Sequence, residues 1–177
     1  MEEVNKKVGS AEQKSGARAA RRAAAGGRLE GADGAAEQIG GAAGELVARL
    51  HMDYPELRFR VGKRFMFRSP RTVVVEALDG ADGGLEWELQ LLHEVGHALA
   101  GHRDYRTDPE RLVMEREAWE RARGLCEAYN IRYDEELVEA ELDTYRDWLH
   151  QKSRCRRCGL TRYQTRDGRW HCPGCEL

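Results

Sequence analysis

The 177-residue sequence lacks the features of a membrane or exported protein. No apolar run approaches the roughly 20 residues needed to span a bilayer. The N-terminus also lacks the roughly 7–15-residue apolar segment of a secretory signal. Nor does one sign of charge dominate, since the formal net charge is −2. We therefore expect a soluble, cytoplasmic protein without a membrane partner, whose overall charge does not indicate nucleic-acid binding.

The charges are unevenly distributed along the chain. Residues 1–44 carry seven basic and six acidic side chains, and residues 151–177 carry seven basic and two acidic ones. Because the total is −2, residues 45–150 carry −8. An acidic central segment followed by a basic C-terminal one is typical of segments with different partners.

Residues 1–44 have almost no large apolar side chains and are about half alanine and glycine. Such a segment buries too little surface to offset its loss of conformational entropy, so we predict a disordered tail. The arginine cluster at 18–28 has two alternative interpretations, a transit peptide or a nucleic-acid-binding arm. Acidic residues nearby favour a solvated tail over both.

Residues 45–150 have the patterns of a small α+β domain. A helical stretch ending at Pro55 precedes two or three short strands, which we expect to form a small antiparallel sheet. Three helices with periodic apolar residues follow. Their predicted ranges are 85–103, 108–129 and 134–150, where Asp108 is the expected N-cap and Pro109 the first helical residue.

The first of these helices contains the motif His-Glu-x-x-His at residues 93–97. His93 and His97 are four residues apart, so both imidazoles lie on one face of a helix and can bind one metal ion. Glu94 is adjacent and can reach a water on that metal without being a ligand. Zinc lowers the pKa of a bound water to about 7, and a nearby carboxylate can accept its proton. Apolar residues surround the motif, and burial of its charges requires such a partner.

A catalytic zinc usually has three protein ligands. In the next helix the apolar stripe runs from Leu112 to Trp119 and Ala122, and its spacing places Glu115 in the middle. A buried carboxylate needs a metal or an ion pair, so we predict Glu115 as the third ligand; the alternative is a buried pair with an arginine. His102 follows His97 by five residues and points away if the helix continues. We therefore expect His102 to lie outside the ligand set, where it either contacts a ligand from behind or is exposed at the surface.

These motifs resemble the gluzincin metallopeptidases, and most closely the small ImmA/IrrE-like group. The matching residues are His93, Glu94 and His97, followed by Glu115, Ala118 and Ala122 in the pattern E-x-x-A-x-x-x-A. The resemblance implies a zincin-like fold over residues 45–150, zinc held by the two histidines and Glu115, and Glu94 as the general base. Trp119 and Arg121 depart from residues frequent in that family, and no helix-turn-helix or sensor domain is attached.

Peptide hydrolysis also requires a group that stabilises the oxyanion. Tyr105, His102 and Tyr145 are the candidates, and the sequence does not choose among them. The fifth cysteine, Cys126, lies on the apolar stripe and is interpreted as a core residue.

Residues 151–177 contain two Cys-x-x-Cys pairs, a pattern typical of a zinc ribbon. Four thiolates complete a tetrahedron and leave no position for water, so this second zinc is expected to be structural. Asp167-Gly168 predicts the turn of a hairpin between the pairs. The four predicted ligands are Cys155, Cys158, Cys172 and Cys175.

The ribbon also carries six arginines, with Tyr163 and Trp170 among them. This composition is compatible with single-stranded nucleic acid, with an acidic protein or with docking on the −8 segment. SprT-like proteases also join an H-E-x-x-H core to a ribbon, but their third ligand is a histidine.

Two hypotheses follow from the sequence. The first is a zinc-dependent endopeptidase that hydrolyses a protein or peptide substrate through a zinc-activated water, with the ribbon recruiting a substrate or partner. The second is a catalytically inactive zincin-like adaptor that binds nucleic acid or protein through the basic ribbon.

Overall fold

The computed structural model describes residues 33–78 and 83–176. It has the predicted α+β architecture, in which helices predominate and two small sheets are present. The helices are α1 Asp33–Ile39, α2 Gly41–Asp53, α3 Gly84–Leu99, α4 Asp108–Tyr129 and α5 Glu135–Ser153. The strands are β1 Arg58–Gly62, β2 Met66–Arg68, β3 Thr72–Glu76, β4 Tyr163–Gln164 and β5 Trp170–His171. No helix in the described ranges is long and apolar enough to cross a membrane.

Helix α1 and the start of α2 correct the prediction that residues 1–44 are disordered; residues 1–32 lie outside the described part of the chain. Ala35 and Ala43 are buried in the core. A Cβ on Gly44 would lie 2.5 Å from the carbonyl oxygen of Ala36, so the two helices pack closely there. Small residues thus join the core through close backbone approach, which a count of large apolar side chains does not detect.

The three-stranded sheet has the order β1-β3-β2 and is mixed, not antiparallel as predicted. Strands β2 and β3 form the expected antiparallel pair, with Met66 opposite Val74. Strand β1 lies on the other side of β3 and runs parallel to it, with Arg58 opposite Thr72. Consecutive strands would have run in opposite directions, but β1 pairs with β3 and not with β2, and β1 and β3 run in the same direction. Strand β2 is left at the edge of the sheet.

Helix α3 is the centre of the main core. Leu91, Leu92 and Val95 are fully buried, as are Val73 and Val75 on β3. The helix packs against β2 and β3 on one side and against α4 on another. Its polar motif is therefore enclosed by packed elements, as the surrounding apolar residues indicated.

Two helix boundaries differ from their predicted positions in ways that affect the site. Helix α3 ends at Leu99 instead of 103, because Gly101 adopts φ 70 and its N–H donates to the carbonyl of Ala98. Helix α4 begins after Thr107, not after Asp108. Thr107 forms a capping box with Glu110, a T-x-x-E signature readable at residues 107–110.

The C-terminal segment forms the predicted hairpin. Strands β4 and β5 are antiparallel, with Tyr163 opposite His171 and Gln164 opposite Trp170. Each strand has only two residues, so backbone pairing contributes little to its stability.

Candidate metal centres

The histidine helix α3 and the glutamate helix α4 approach each other most closely at Gly96. A Cβ at this position would lie 2.3 Å from the carbonyl oxygen of Ala118. Glycine at 96 and alanine at 118 therefore allow the two backbones to touch. Glu115 lies one helical turn before Ala118, and His97 lies next to Gly96, so this contact brings the two functional faces together.

Three predicted ligand atoms meet between these helices. The Nε2 atoms of His93 and His97 are 3.1 Å apart, and Oε2 of Glu115 lies 3.2 Å and 3.3 Å from them. All three residues are buried. A tetrahedral zinc with ligands at about 2.0–2.1 Å requires ligand atoms ~3.3 Å apart. The triangle therefore has the dimensions of one face of a zinc tetrahedron, and the donor set is compatible with zinc.

The electrostatics of the cluster favour an ionised Glu115 and a neutral His93. Burial alone would raise the pKa of Glu115, but hydrogen bonds from His93 and His97 outweigh it and the net shift is downward. Burial lowers the pKa of His93. A carboxylate with neutral imidazoles is the state that binds a metal cation.

Glu115 also satisfies part of the alternative prediction of an ion pair. Its second oxygen, Oε1, lies 3.7 Å from Nε of Arg111. One carboxylate oxygen thus faces the histidines while the other faces the guanidinium. The Glu115 carboxylate can therefore serve as a ligand through Oε2 and pair with Arg111 through Oε1.

Glu94 lies beside the three ligands and is not one of them. Burial raises its pKa to about 7, although the charge of His97 and a hydrogen bond from the Phe67 backbone oppose that shift. Phe67 belongs to the edge strand β2, and its ring stacks on His97 with centroids 6.2 Å apart. The edge of the sheet therefore meets the histidine motif directly.

His102 is not a ligand, but it contacts one. Because α3 has ended and Gly101 reverses the chain, the His102 ring returns to His97, and the two Nδ1 atoms are 2.8 Å apart. Nε2 of His102 lies 3.1 Å from Oε2 of Glu117. The Glu117 side chain is 48% exposed, and no sequence pattern indicated that it would contact His102.

The two motif histidines are held differently. His97 has a hydrogen-bond partner on its outer nitrogen, whereas Nδ1 of His93 is buried and has no partner among the described residues. The His93 ring packs against Trp119 instead, with centroids 4.2 Å apart. Trp119 is one of the two residues that depart from the gluzincin pattern, and in this chain it packs against a candidate ligand ring.

A cavity of about 450 Å³ opens onto the cluster. The three candidate stabilisers Tyr105, His102 and Tyr145 all line it. Arg111, which sequence reasoning did not select, lies over the rings of Tyr105, Tyr145 and Trp148, with its Cζ 5.1–5.6 Å from their centroids. Burial and the nearby charge of Glu115 raise the pKa of Tyr145 to about 12, so its hydroxyl stays protonated at neutral pH.

The four ribbon cysteines form the second cluster. Their sulfur atoms all lie within 4.8 Å of one another, and the pairs Cys155–Cys175 and Cys158–Cys172 are 3.8 Å and 3.4 Å apart. A zinc tetrahedron with Zn–S distances of about 2.3 Å requires edges of ~3.8 Å. Hydrogen bonds from the backbone of Cys158 and Arg157 lower the pKa of Cys155 to about 6, whereas hydrogen bonds with the neighbouring thiols raise the pKa of Cys175. The cluster is compatible with a structural zinc.

The fifth cysteine is a core residue, as predicted from the stripe. Cys126 is 1% exposed, and burial raises the pKa of its thiol to about 11. A thiol in that state is a poor nucleophile and a poor ligand at neutral pH.

The ribbon is attached to the start of α4 through Asp108. The Asp108 carboxylate accepts hydrogen bonds from Trp170 Nε1 at 3.0 Å and from Lys152 Nζ at 2.9 Å. The Asp108 backbone N–H donates to Gln164 at 2.7 Å. Trp170 is thus engaged within the molecule, while Tyr163 is 54% exposed. The sequence predicted Asp108 only as a helix N-cap, and that prediction did not indicate its contacts with the ribbon.

No protein-family model, no curated protein and no solved structure matches the chain.

Proposed function

We propose that this protein is a zinc-dependent endopeptidase. The observation that carries the proposal is the Glu94 carboxylate beside three buried ligand atoms whose 3.1–3.3 Å spacing fits a tetrahedral zinc. His93, His97 and Glu115 would hold the metal. When bound, zinc supplies a Lewis acid that lowers the pKa of a coordinated water. The resemblance to the gluzincins, which rests on residues 93–122, supports the same assignment.

Glu94 is proposed as the general base and acid. A group whose pKa is close to neutral can accept a proton from water and return it to a leaving amine at physiological pH. The pKa of about 7 meets that requirement, and burial is its main cause.

Tyr145 is the stabiliser that the contacts favour. Both ring nitrogens of His102 already have partners, and Tyr105 is 44% exposed whereas Tyr145 is half-buried. Tyr145 is a protonated donor that lines the cavity near the charges of Glu94 and Glu115. A hydroxyl in that position can donate a hydrogen bond to a developing oxyanion.

The substrate is proposed to be an extended peptide. Among the described elements, strand β2 pairs only with β3. The backbone on its other edge can therefore pair with an extended peptide as an added strand. Phe65 and Met66 continue the cavity lining along that edge, beside the arginines at 64, 103 and 111. The exposed arginines of the ribbon are proposed to attract an acidic partner or substrate, with nucleic acid as the alternative ligand.

The test is peptide cleavage by the full chain with both metal sites loaded, measured on a library of fluorescence-quenched peptides. Glu94→Gln is expected to lower kcat by at least ~10²-fold, because the general base is lost. Zinc content should stay at about two ions per chain, one for each cluster. Glu86→Gln is the matched control, since Glu86 is an exposed carboxylate on the same helix and should have no effect.

Cleavage that persists in Glu94→Gln would contradict the assigned base. A protein that holds both zinc ions and cleaves no peptide would favour the inactive adaptor. In that case binding of a single-stranded oligonucleotide or an acidic peptide to the ribbon becomes the function to measure.

A further inference from the structure

His102 and Glu117 have no role in the proposed chemistry, yet His102 is buried against the proposed ligand His97. His97 and His102 are 9% and 8% exposed. Burying a second imidazole beside a metal-ligand histidine costs free energy unless its nitrogens are satisfied. Both are satisfied, by His97 on one side and by Glu117 on the other.

The direction of these hydrogen bonds follows from the ligand geometry. Nε2 of His97 faces His93 and Glu115, so with zinc bound its lone pair is the one that would be directed at the metal. The His97 proton must then be on Nδ1, which donates to Nδ1 of His102 across 2.8 Å. Nδ1 of His102 is therefore an acceptor, and the ring carries its proton on Nε2. That proton is donated to Glu117 across 3.1 Å.

The backbone is shaped to place His102 in this position. Helix α3 stops at Leu99, Gly101 adopts a φ of 70, and the His102 N–H donates to the carbonyl oxygen of His97 at 3.1 Å. A residue with a side chain is strained at that φ. The turn thus joins His102 to His97 by a backbone bond and a ring–ring bond.

We propose that His102 and Glu117 are positioning residues that hold His97 in the tautomer and orientation required to bind zinc through Nε2. His93 lacks such a partner within the described residues and is held by packing on Trp119. The inference rests on the proposed metal site but not on peptidase activity. Partners of this kind commonly change metal affinity about 10- to 100-fold when removed.

The experiment follows ¹⁵N-labelled histidine side chains by NMR while the full chain is titrated with zinc. The histidine signals report the His93–His97 site separately from the cysteine cluster. In the zinc-loaded protein, His97 should carry its proton on Nδ1 and His102 on Nε2. A structural role without this hydrogen-bond chain does not require that pair of tautomers.

The variants measure zinc affinity at the histidine site. His102→Phe keeps a ring but removes both nitrogens, and should weaken zinc binding by about 10- to 100-fold. His102→Gln retains an acceptor and a donor, and should recover part of the loss. Glu117→Gln should produce a smaller loss, since that side chain is 48% exposed. Glu120→Gln, an exposed neighbour on α4 that pairs with Arg116, is the control and should bind zinc normally.

Three results would overturn the proposal. One is a zinc-loaded His102 with its proton on Nδ1, and another is unchanged zinc affinity in His102→Phe. Absence of zinc from the histidine site of the unmodified protein would overturn both this proposal and the proposed function. Normal zinc binding with the predicted tautomers and no peptide cleavage would overturn only the proposed function. Retained helical circular dichroism in His102→Gln separates a local effect from unfolding.

Discussion

The contact between Gly96 and Ala118 makes a quantitative prediction for Gly96→Ala. The added Cβ would lie 2.3 Å from the Ala118 carbonyl oxygen and 3.1 Å from its carbon, whereas real Cβ atoms essentially never come within 3.0 Å. The obstacle is backbone, so no side chain can rotate away. Helices α3 and α4 must therefore separate by about 1 Å, and overpacking of this kind costs about 1–3 kcal/mol.

Part of this cost is offset by helix propensity, because alanine is favoured over glycine in a helix interior by about 1 kcal/mol. We expect a net loss of about 1–2 kcal/mol in the free energy of unfolding, measured by urea denaturation. The effect on zinc should be larger. Glu115 is one turn from Ala118, and metal sites tolerate displacements of only about 0.2 Å. Zinc affinity at the histidine site should fall at least about tenfold.

Gly124→Ala is the matched control for this substitution. Gly124 lies on the exposed side of α4, and a Cβ there would have nothing within 4 Å. This change should leave zinc affinity unaltered and raise stability by up to about 1 kcal/mol. If Gly96→Ala behaved like Gly124→Ala in both measurements, the close approach of the two helices would not be what assembles the site.

Three further predictions concern the ribbon and the cavity. Asp108→Ala removes the acceptor for Trp170 and Lys152 and should cost about 1–3 kcal/mol, at the lower end because Lys152 is 42% exposed. Faster amide hydrogen exchange in the hairpin would report the loss, and Asp143→Ala, at an exposed ion pair, should cause none. Tyr145→Phe keeps the ring at the cavity wall but removes the hydroxyl; kcat on a cleaved peptide should fall by about 10²-fold with zinc content retained. Chelation of both metals should unfold the four-cysteine ribbon while the helical core remains folded, because two-residue strands cannot sustain a module of that size. Circular dichroism that kept its helical signal, together with lost protection of the hairpin, would agree; protection retained without metal would contradict it.

Part of the site was readable from local patterns because its residues lie on regular elements. His93 and His97 share a face by helical spacing alone, and Glu115 was identified by its position within the apolar stripe of α4. The two cysteine pairs were equally readable, since each lies within one tight turn. These features depend on separations of two to four residues, over which backbone geometry is predictable.

Other features depended on where a helix ends or how strands pair. The sequence left open whether His102 contacts a ligand, because the helix was predicted to continue to 103. Gly101 ends the helix early and turns His102 back to His97. The sheet was expected to be antiparallel, but pairing partners are chosen by tertiary packing, and β1 joined β3. The residues from 33 to 44 were called disordered because small side chains carry a weak hydrophobic signal.

The sequence alone determined the ligand types, their spacing within each element and the division of charge between an acidic body and a basic ribbon. The tertiary structure decided which separate elements meet: Gly96 against Ala118, Glu117 against His102 and Asp108 against Trp170. The physical reason is one of range. Local spacing follows from the dihedral angles of a few residues, whereas contacts between elements depend on how the whole core packs.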